Sequence, residues 1–116
     1  MALRVRKNQF VVPPACPVDE GIQLLGGAWT PQVILNLSAQ PRRFGELRRD
    51  IPRVSARVLS QRLRELQARG VVARTPIATS PPSAEYALTE LGRELLPAIR
   101  ALVRAALKLQ TAHSPR

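Results

Sequence analysis

Aromatic side chains are almost missing from this chain of 116 residues. Phe10, Trp29, Phe44 and Tyr86 are the whole set, and they are scattered rather than interleaved with basic residues. Binders of single strands and of RNA loops use aromatic platforms on which bases stack, so that class is disfavoured. Cys16 is the single cysteine, which excludes an internal disulfide and fits a reducing, cytoplasmic setting. No apolar run approaches the roughly 20 residues of a membrane span. The segment MALRVRKNQFVVPPAC has basic residues ahead of a cysteine, but its apolar stretch Phe10–Val12 is short and runs into Pro13–Pro14. A targeting signal is not expected there; residues 1–15 read as a flexible arm. Acidic residues are also scarce: eight, against eighteen basic ones, for a formal charge of +10. Sixteen of the eighteen are arginines, whose planar fork pairs bidentately with phosphate or with guanine edges.

The charge is concentrated. Residues 42–74 hold ten arginines against Glu46, Asp50 and Glu65. A basic block inside a folded segment points to a polyanion, with nucleic acid ahead of a membrane surface. Within that block lies SARVLSQRLRELQAR, Ser55–Arg69, followed by Gly70. Ser55 is a favoured N-cap residue and Gly70 stands where a left-handed C-cap is expected. Leu59, Leu63 and Leu66 fall on one stripe of the helix, and Arg57, Gln61, Arg64 and Ala68 on the opposite face, with Ser60 to one side. Taken alone, this describes an ordinary solvated basic helix as well as a nucleic-acid reader.

Its neighbours favour the second reading. The spacing predicts a helix over 18–25, with Val18, Ile22 and Leu25 on one face and Asp19 and Glu20 in its first turn, stopped by Gly26–Gly27. A second helix runs from a Thr30 cap to about Ser38, with Pro31 at its first position, Trp29 stapled on Ile34, and Val33, Ile34 and Leu37 inward. A third covers Arg42–Asp50, with Phe44, Leu47 and Ile51 inward and Arg48 and Arg49 outside, free to pair with Asp50 or Glu46. Pro52 ends it, and Arg53–Val54 lead to the Ser55 cap. A short helix, a brief turn and a longer basic helix make a helix-turn-helix, whose second helix enters the major groove. After Gly70, Val71–Thr75 and Ala84–Leu88 read as a hairpin around PIATSPPS, which would be a wing. Thr89 then caps a last helix to about Leu109, bent at Pro97, with Leu95, Ile99, Leu102, Ala106 and Leu109 on a stripe suited to a second copy. The fold class is therefore mainly α with a small β-hairpin wing: one winged helix-turn-helix domain over 16–110, its terminal helix (89–109) serving dimerisation, and a frayed tail over 111–116.

The segments CPVDEGIQLLGGAWT, RRFGELRRDIPRVSARVLSQRLRELQARGVVAR and PPSAEYALTELGREL resemble the HxlR-type winged helix-turn-helix transcriptional regulators. The resemblance spans Cys16 to about Leu102 and implies a homodimer, joined through its terminal helices, that binds an inverted repeat in double-stranded DNA as repressor or activator. Three departures stand out. Ala28 replaces a lysine frequent in the GGKWT segment, the wing loop Ile77–Ser83 carries no basic residue, and a tryptophan common late in the last helix is missing.

Ala56, Arg57, Ser60, Gln61 and Arg64 are the expected major-groove residues, since Arg pairs with guanine and Gln with adenine. Arg42, Arg43, Arg48, Arg53, Ser55 and Arg74 are the expected phosphate contacts, which position without reading sequence. Cys16 carries two readings. Some members of the resembled family sense oxidants through a cysteine just before the first helix, and a helix N-terminus favours a thiolate; the other reading is a buried structural cysteine. An oxidant or small-molecule effector is compatible with the first. His113 has no Cys, Asp or Glu near it in sequence, and neither a nucleophile–base pair nor a phosphate-cradling glycine loop is visible. No metal, cofactor or enzymatic activity is expected. A sequence-neutral nucleoid- or RNA-associated protein is the alternative.

Overall fold

The three leucines of the basic helix organise the molecule. In the computed structural model, which describes residues 17–113 and the side chains of 17–112, Leu59, Leu63 and Leu66 are all fully buried. They share one buried core with Val33, Ile34 and Leu37 of the second helix, with Leu47, Ile51 and Val54, and with Val71, Leu88, Leu96 and Ile99. Cys16, the expected arm over 1–15 and the end of the expected tail lie outside the described residues.

The element order is α1 (Val18–Leu25), α2 (Thr30–Leu37), β1 (Arg42–Arg43), α3 (Phe44–Asp50), α4 (Ala56–Ala68), β2 (Val72–Ile77), β3 (Ser83–Leu88), α5 (Glu90–Glu94) and α6 (Leu96–His113). The three strands form one antiparallel sheet in the order β1-β3-β2. Val72 faces Leu88 and Ile77 faces Ser83, so the wing is paired along its full length and its loop shrinks to residues 78–82. Arg42 and Arg43 face Tyr86 and Glu85.

Local chemistry accounts for several boundaries. The Ser55 hydroxyl accepts from the Val58 amide at 3.1 Å, and the Thr89 hydroxyl from the Gly92 amide at 3.0 Å. Both caps satisfy a donor that a helix start leaves orphaned. Gly70 stands at φ +75°, a left-handed geometry that glycine adopts without a Cβ clash, and the Val71 amide returns to the Leu66 carbonyl.

Four expectations need correction. Thr30 is not a cap: Trp29 holds that position at φ +71° with no side-chain cap bond, and Thr30 is already helical and buried. The Thr30 amide is instead satisfied by the Gly27 carbonyl at 3.1 Å. Arg42 and Arg43 are not the start of α3 but a two-residue strand, because β3 offers them an edge; Glu46 then closes the helix start by accepting from the Arg43 amide at 2.8 Å. The apolar face of α1, although regular, is not buried: Val18 and Ile22 are 51% and 63% exposed, and only Leu24 and Leu25 touch the core. The last helix is two helices, α5 and α6, separated at Leu95 rather than bent at Pro97. Pro97 falls in the first turn of α6, where a missing amide costs no helical bond. Finally, the tail does not begin at Thr111, since α6 continues to His113.

Candidate nucleic-acid interface

α3, the turn over 51–55 and α4 form the helix-turn-helix, and the leucine stripe of α4 fixes which residues look outward. Ala56, Arg57, Gln61 and Arg64 are exposed and Ser60 is half-buried. The Arg64 guanidinium donates to the Ser60 hydroxyl at 3.1 Å, one turn back, which holds the long side chain along the helix face. Neither Arg57 nor Arg64 makes an ion pair with a described residue. A face that presents guanidinium and amide donors with no carboxylate to neutralise them is built for an anionic or acceptor-rich partner.

Around it the arginines divide into two groups. Arg43, Arg48, Arg49 and Arg74 are exposed and form no ion pair with a described residue. Arg43 and Arg49 also line an open cavity of about 570 Å³ where α3 meets the wing, together with Phe44, Gly45, Ser83 and Glu85. Ser55, although its oxygen caps α4, still has a hydroxyl proton to donate.

The second group is occupied within the protein. Arg42, expected at phosphate, places its fork on Asp50 at 2.9 and 3.0 Å. Hydrogen bonding to Asp50 raises the Arg42 pKa above its ordinary value; desolvation opposes the rise, and the Asp50 and Glu46 charges add to it. Asp50 is thus taken by Arg42, not by Arg48 or Arg49. Arg53 lies over the Trp29 ring, 5.9 Å from its centroid, an arrangement attractive to a cation; its side chain stays exposed with no ion pair to a described residue, so its charge remains open to an anion. Arg62 donates to the Ala28 carbonyl at 2.8 Å and to Glu65 at 3.2 Å. Arg69 approaches Glu20 at 3.7 Å, and Arg93 reaches the Ser38 carbonyl at 3.4 Å.

Sequence reasoning missed Arg62. The signal was present: it stands three residues after Leu59 and four before Leu66, beside the buried stripe, so its stem had to lie against the protein.

Of the stripe expected for dimerisation, Ile99 is 1% exposed and belongs to the monomer core, and Leu95 is partly buried against it. Leu102 and Leu109 are 58% and 61% exposed, Ala106 is exposed, and Val103 and Leu107 widen the apolar band. No helix of the described residues is long and apolar enough to cross a membrane.

Comparison with known proteins agrees with this architecture. The HxlR-like helix-turn-helix family model matches residues 24–113. An uncharacterised HTH-type transcriptional regulator of Bacillus subtilis, YybR, is 37% identical over 94 residues, which is 81% of this chain and 75% of the relative. The solved structure of the redox regulator HypR in its reduced form is 36% identical, with a TM-score of 0.72 over 76% of this chain and 87% of that one. The reduced form of the transcriptional regulator YodB from B. subtilis is 28% identical, with a TM-score of 0.73 over 91% of this chain and 100% of that one. The chain belongs to the HxlR-like helix-turn-helix family of transcriptional regulators, and is accordingly a DNA-binding regulator and not an enzyme.

Proposed function

We propose that the protein is a sequence-specific regulator that binds an inverted repeat in double-stranded DNA as a homodimer. The observation that carries this reading is the outer face of α4, where Arg57, Gln61 and Arg64 stand exposed with no carboxylate pairing either guanidinium. Arg57, nearest the helix start, reaches deepest into the major groove. Gln61 and Arg64 lie one and two turns behind it, Ser60 braces Arg64, and Ala56 offers a methyl contact. Arg43, Arg48, Arg53, Ser55 and Arg74 hold the flanking phosphates, while Arg42 buttresses α3 through Asp50. Two copies place their α4 helices in successive major grooves, about one helical turn apart.

Substituting both Arg57 and Arg64 by alanine should abolish a specific gel shift and leave the far-ultraviolet circular dichroism unchanged; retained operator affinity would overturn the reading. Each lost guanine pair is worth about 1–3 kcal/mol of discrimination. Competition by random duplex as effective as by operator would instead identify a sequence-neutral binder.

A redox response through Cys16 belongs to the same proposal. HypR is by description a redox regulator solved in reduced and oxidised forms, and this chain's one cysteine directly precedes Pro17 at the start of α1. With a single thiol, oxidation leads to an intersubunit disulfide, a mixed disulfide with a small thiol, or the sulfenic-acid series. Cys16→Ser should abolish oxidant-triggered release of DNA; release that persists in the variant removes the cysteine from the mechanism.

A further inference from the structure

We propose that Arg62, although it lies on the DNA-reading helix, is a positioning residue that sets the rotation of α4 by tying it to the turn before α2, and is not itself a DNA contact. This rests on the reading of α4 as the recognition helix. Arg62 Nε donates to the Ala28 carbonyl oxygen at 2.8 Å, across 34 residues of chain, and a terminal nitrogen donates to Glu65 at 3.2 Å. The side chain is only 17% exposed, against 53% for Glu65. Its charge is matched locally and its stem is covered, so little of it remains for phosphate.

The turn that receives Arg62 is shaped around it. A Cβ on Gly27 would stand 3.2 Å from Arg62 Nε and 2.9 Å from Thr30 Oγ1, so a side chain there would crowd the guanidinium as it crosses. Trp29 is held at φ +71°, a conformation that bulky residues rarely adopt. Such geometry persists where the surroundings over-determine it, and here Arg53 lies over the Trp29 ring while Arg62 holds the preceding carbonyl. Two arginines of the DNA-binding block thus converge on one turn, Arg53 from the linker into α4 and Arg62 from α4 itself.

The reason a tie is needed is directional. Leu59, Leu63 and Leu66 hold α4 by apolar contact, which fixes burial but is nondirectional and tolerates a small roll. Reading base edges requires side chains placed to within about half an ångström. A short hydrogen bond to a backbone carbonyl on another element supplies the missing direction. Arg62 therefore governs discrimination between sequences more than attraction to DNA.

The test uses duplexes enriched from a random library by the full wild-type chain, with unselected duplex as reference. Arg62→Gln should lower affinity for enriched duplex at least tenfold, leave affinity for unselected duplex within about twofold, and keep the salt dependence on unselected duplex unchanged. A phosphate contact would instead weaken both duplexes together and remove roughly 0.9 from the slope of log affinity against log salt; that result, or unchanged affinity throughout, overturns the proposal. Arg62→Lys separates the two roles again. It keeps the charge a phosphate would need, but a single ammonium does not reproduce the fork between Ala28 and Glu65, so discrimination should still fall. Gly27→Ala leaves Arg62 intact and crowds it from the other side, and should reproduce the same selective loss; full discrimination in that variant would overturn the tie. These two milder changes keep the test decisive if thermal melting shows Arg62→Gln to be unfolded. Failure of the wild-type chain to enrich any sequence would strike the regulator reading itself, before any variant is compared.

Discussion

Glycine 92 shows how closely individual atoms constrain this fold. A Cβ there would meet the Val71 carbonyl oxygen at 2.3 Å and a Leu88 methyl at 3.1 Å. The obstacle is backbone, which cannot swing aside as a flexible side chain does. Gly92→Ala should therefore destabilise the domain by about 1–3 kcal/mol despite alanine's better helix propensity, as measured by urea denaturation; a stability equal to or above wild type would show that α5 can shift away from Val71. Nothing local in the sequence announces that constraint, because Val71 lies 21 residues earlier. The contrast with Ser55, Gly70 and Thr89 is instructive. Each was legible, since a cap acts on amides and carbonyls within one turn of itself. Thr30 misled for the same reason: it has the chemistry of a cap, but the chain before it turns left-handed at Trp29 through contacts with Arg53 and Arg62, which tertiary structure alone brings there. Site residues divide in the same way. That Arg57, Gln61 and Arg64 face outward follows from the leucine period. That Arg42 serves Asp50 depends on β1 carrying its side chain back over α3.

Among elements, period and length decided what could be read. α2 and α4 carry unbroken apolar stripes, and every residue expected inward on them is buried. α1 has a stripe of equal regularity, yet Val18 and Ile22 face solvent. Periodicity says that a face is apolar, not that the same chain covers it. β1 was invisible because two residues have no period, and its only justification is the free edge of β3 some forty residues later. The separation of α5 from α6 was half legible. Pro97 marked the place, but a proline in mid-helix bends it, whereas a proline in a first turn begins a new one. The structure takes the second course, which turns Leu96 and Ile99 into the core and sends the rest of α6 outward. The wing shows the reverse economy. Its strands pair fully, but its tip over 78–82 has no cation and Arg74 is the only one on the hairpin. Its share of binding under the proposed function is therefore one phosphate, and the residues from β1 through α4 carry the remainder.

At the scale of the whole molecule, the described residues leave apolar surface open on the first and last helices: Val18 and Ile22 on α1, Leu102, Val103 and Leu107 on α6. Scattered exposed leucines are ordinary, but a band this continuous on one helix is the surface that the proposed homodimer would cover. From position 100 onward α6 carries Arg100, Arg104 and Lys108 four residues apart, on the side away from Leu102 and Leu109, so one face is charged and the other apolar. With Ile99 already in the monomer core, the available surface begins at Leu102. A second copy is the simplest cover, since a two-fold pairing places the same band on itself and gives the DNA-reading helices the symmetry an inverted repeat requires. Replacing Leu102 and Leu107 together by glutamate should yield a monomer by light scattering at micromolar concentration. Its thermal stability as a monomer should be nearly that of the parent fold, because neither side chain contributes to the core. Affinity for a duplex with two half-sites should fall roughly a hundredfold or more, towards that for a single half-site, as the gain from joining two reading heads is lost. A double variant that stays dimeric would place the dimer contact elsewhere, and a wild-type chain that is monomeric under the same conditions would overturn the homodimer itself.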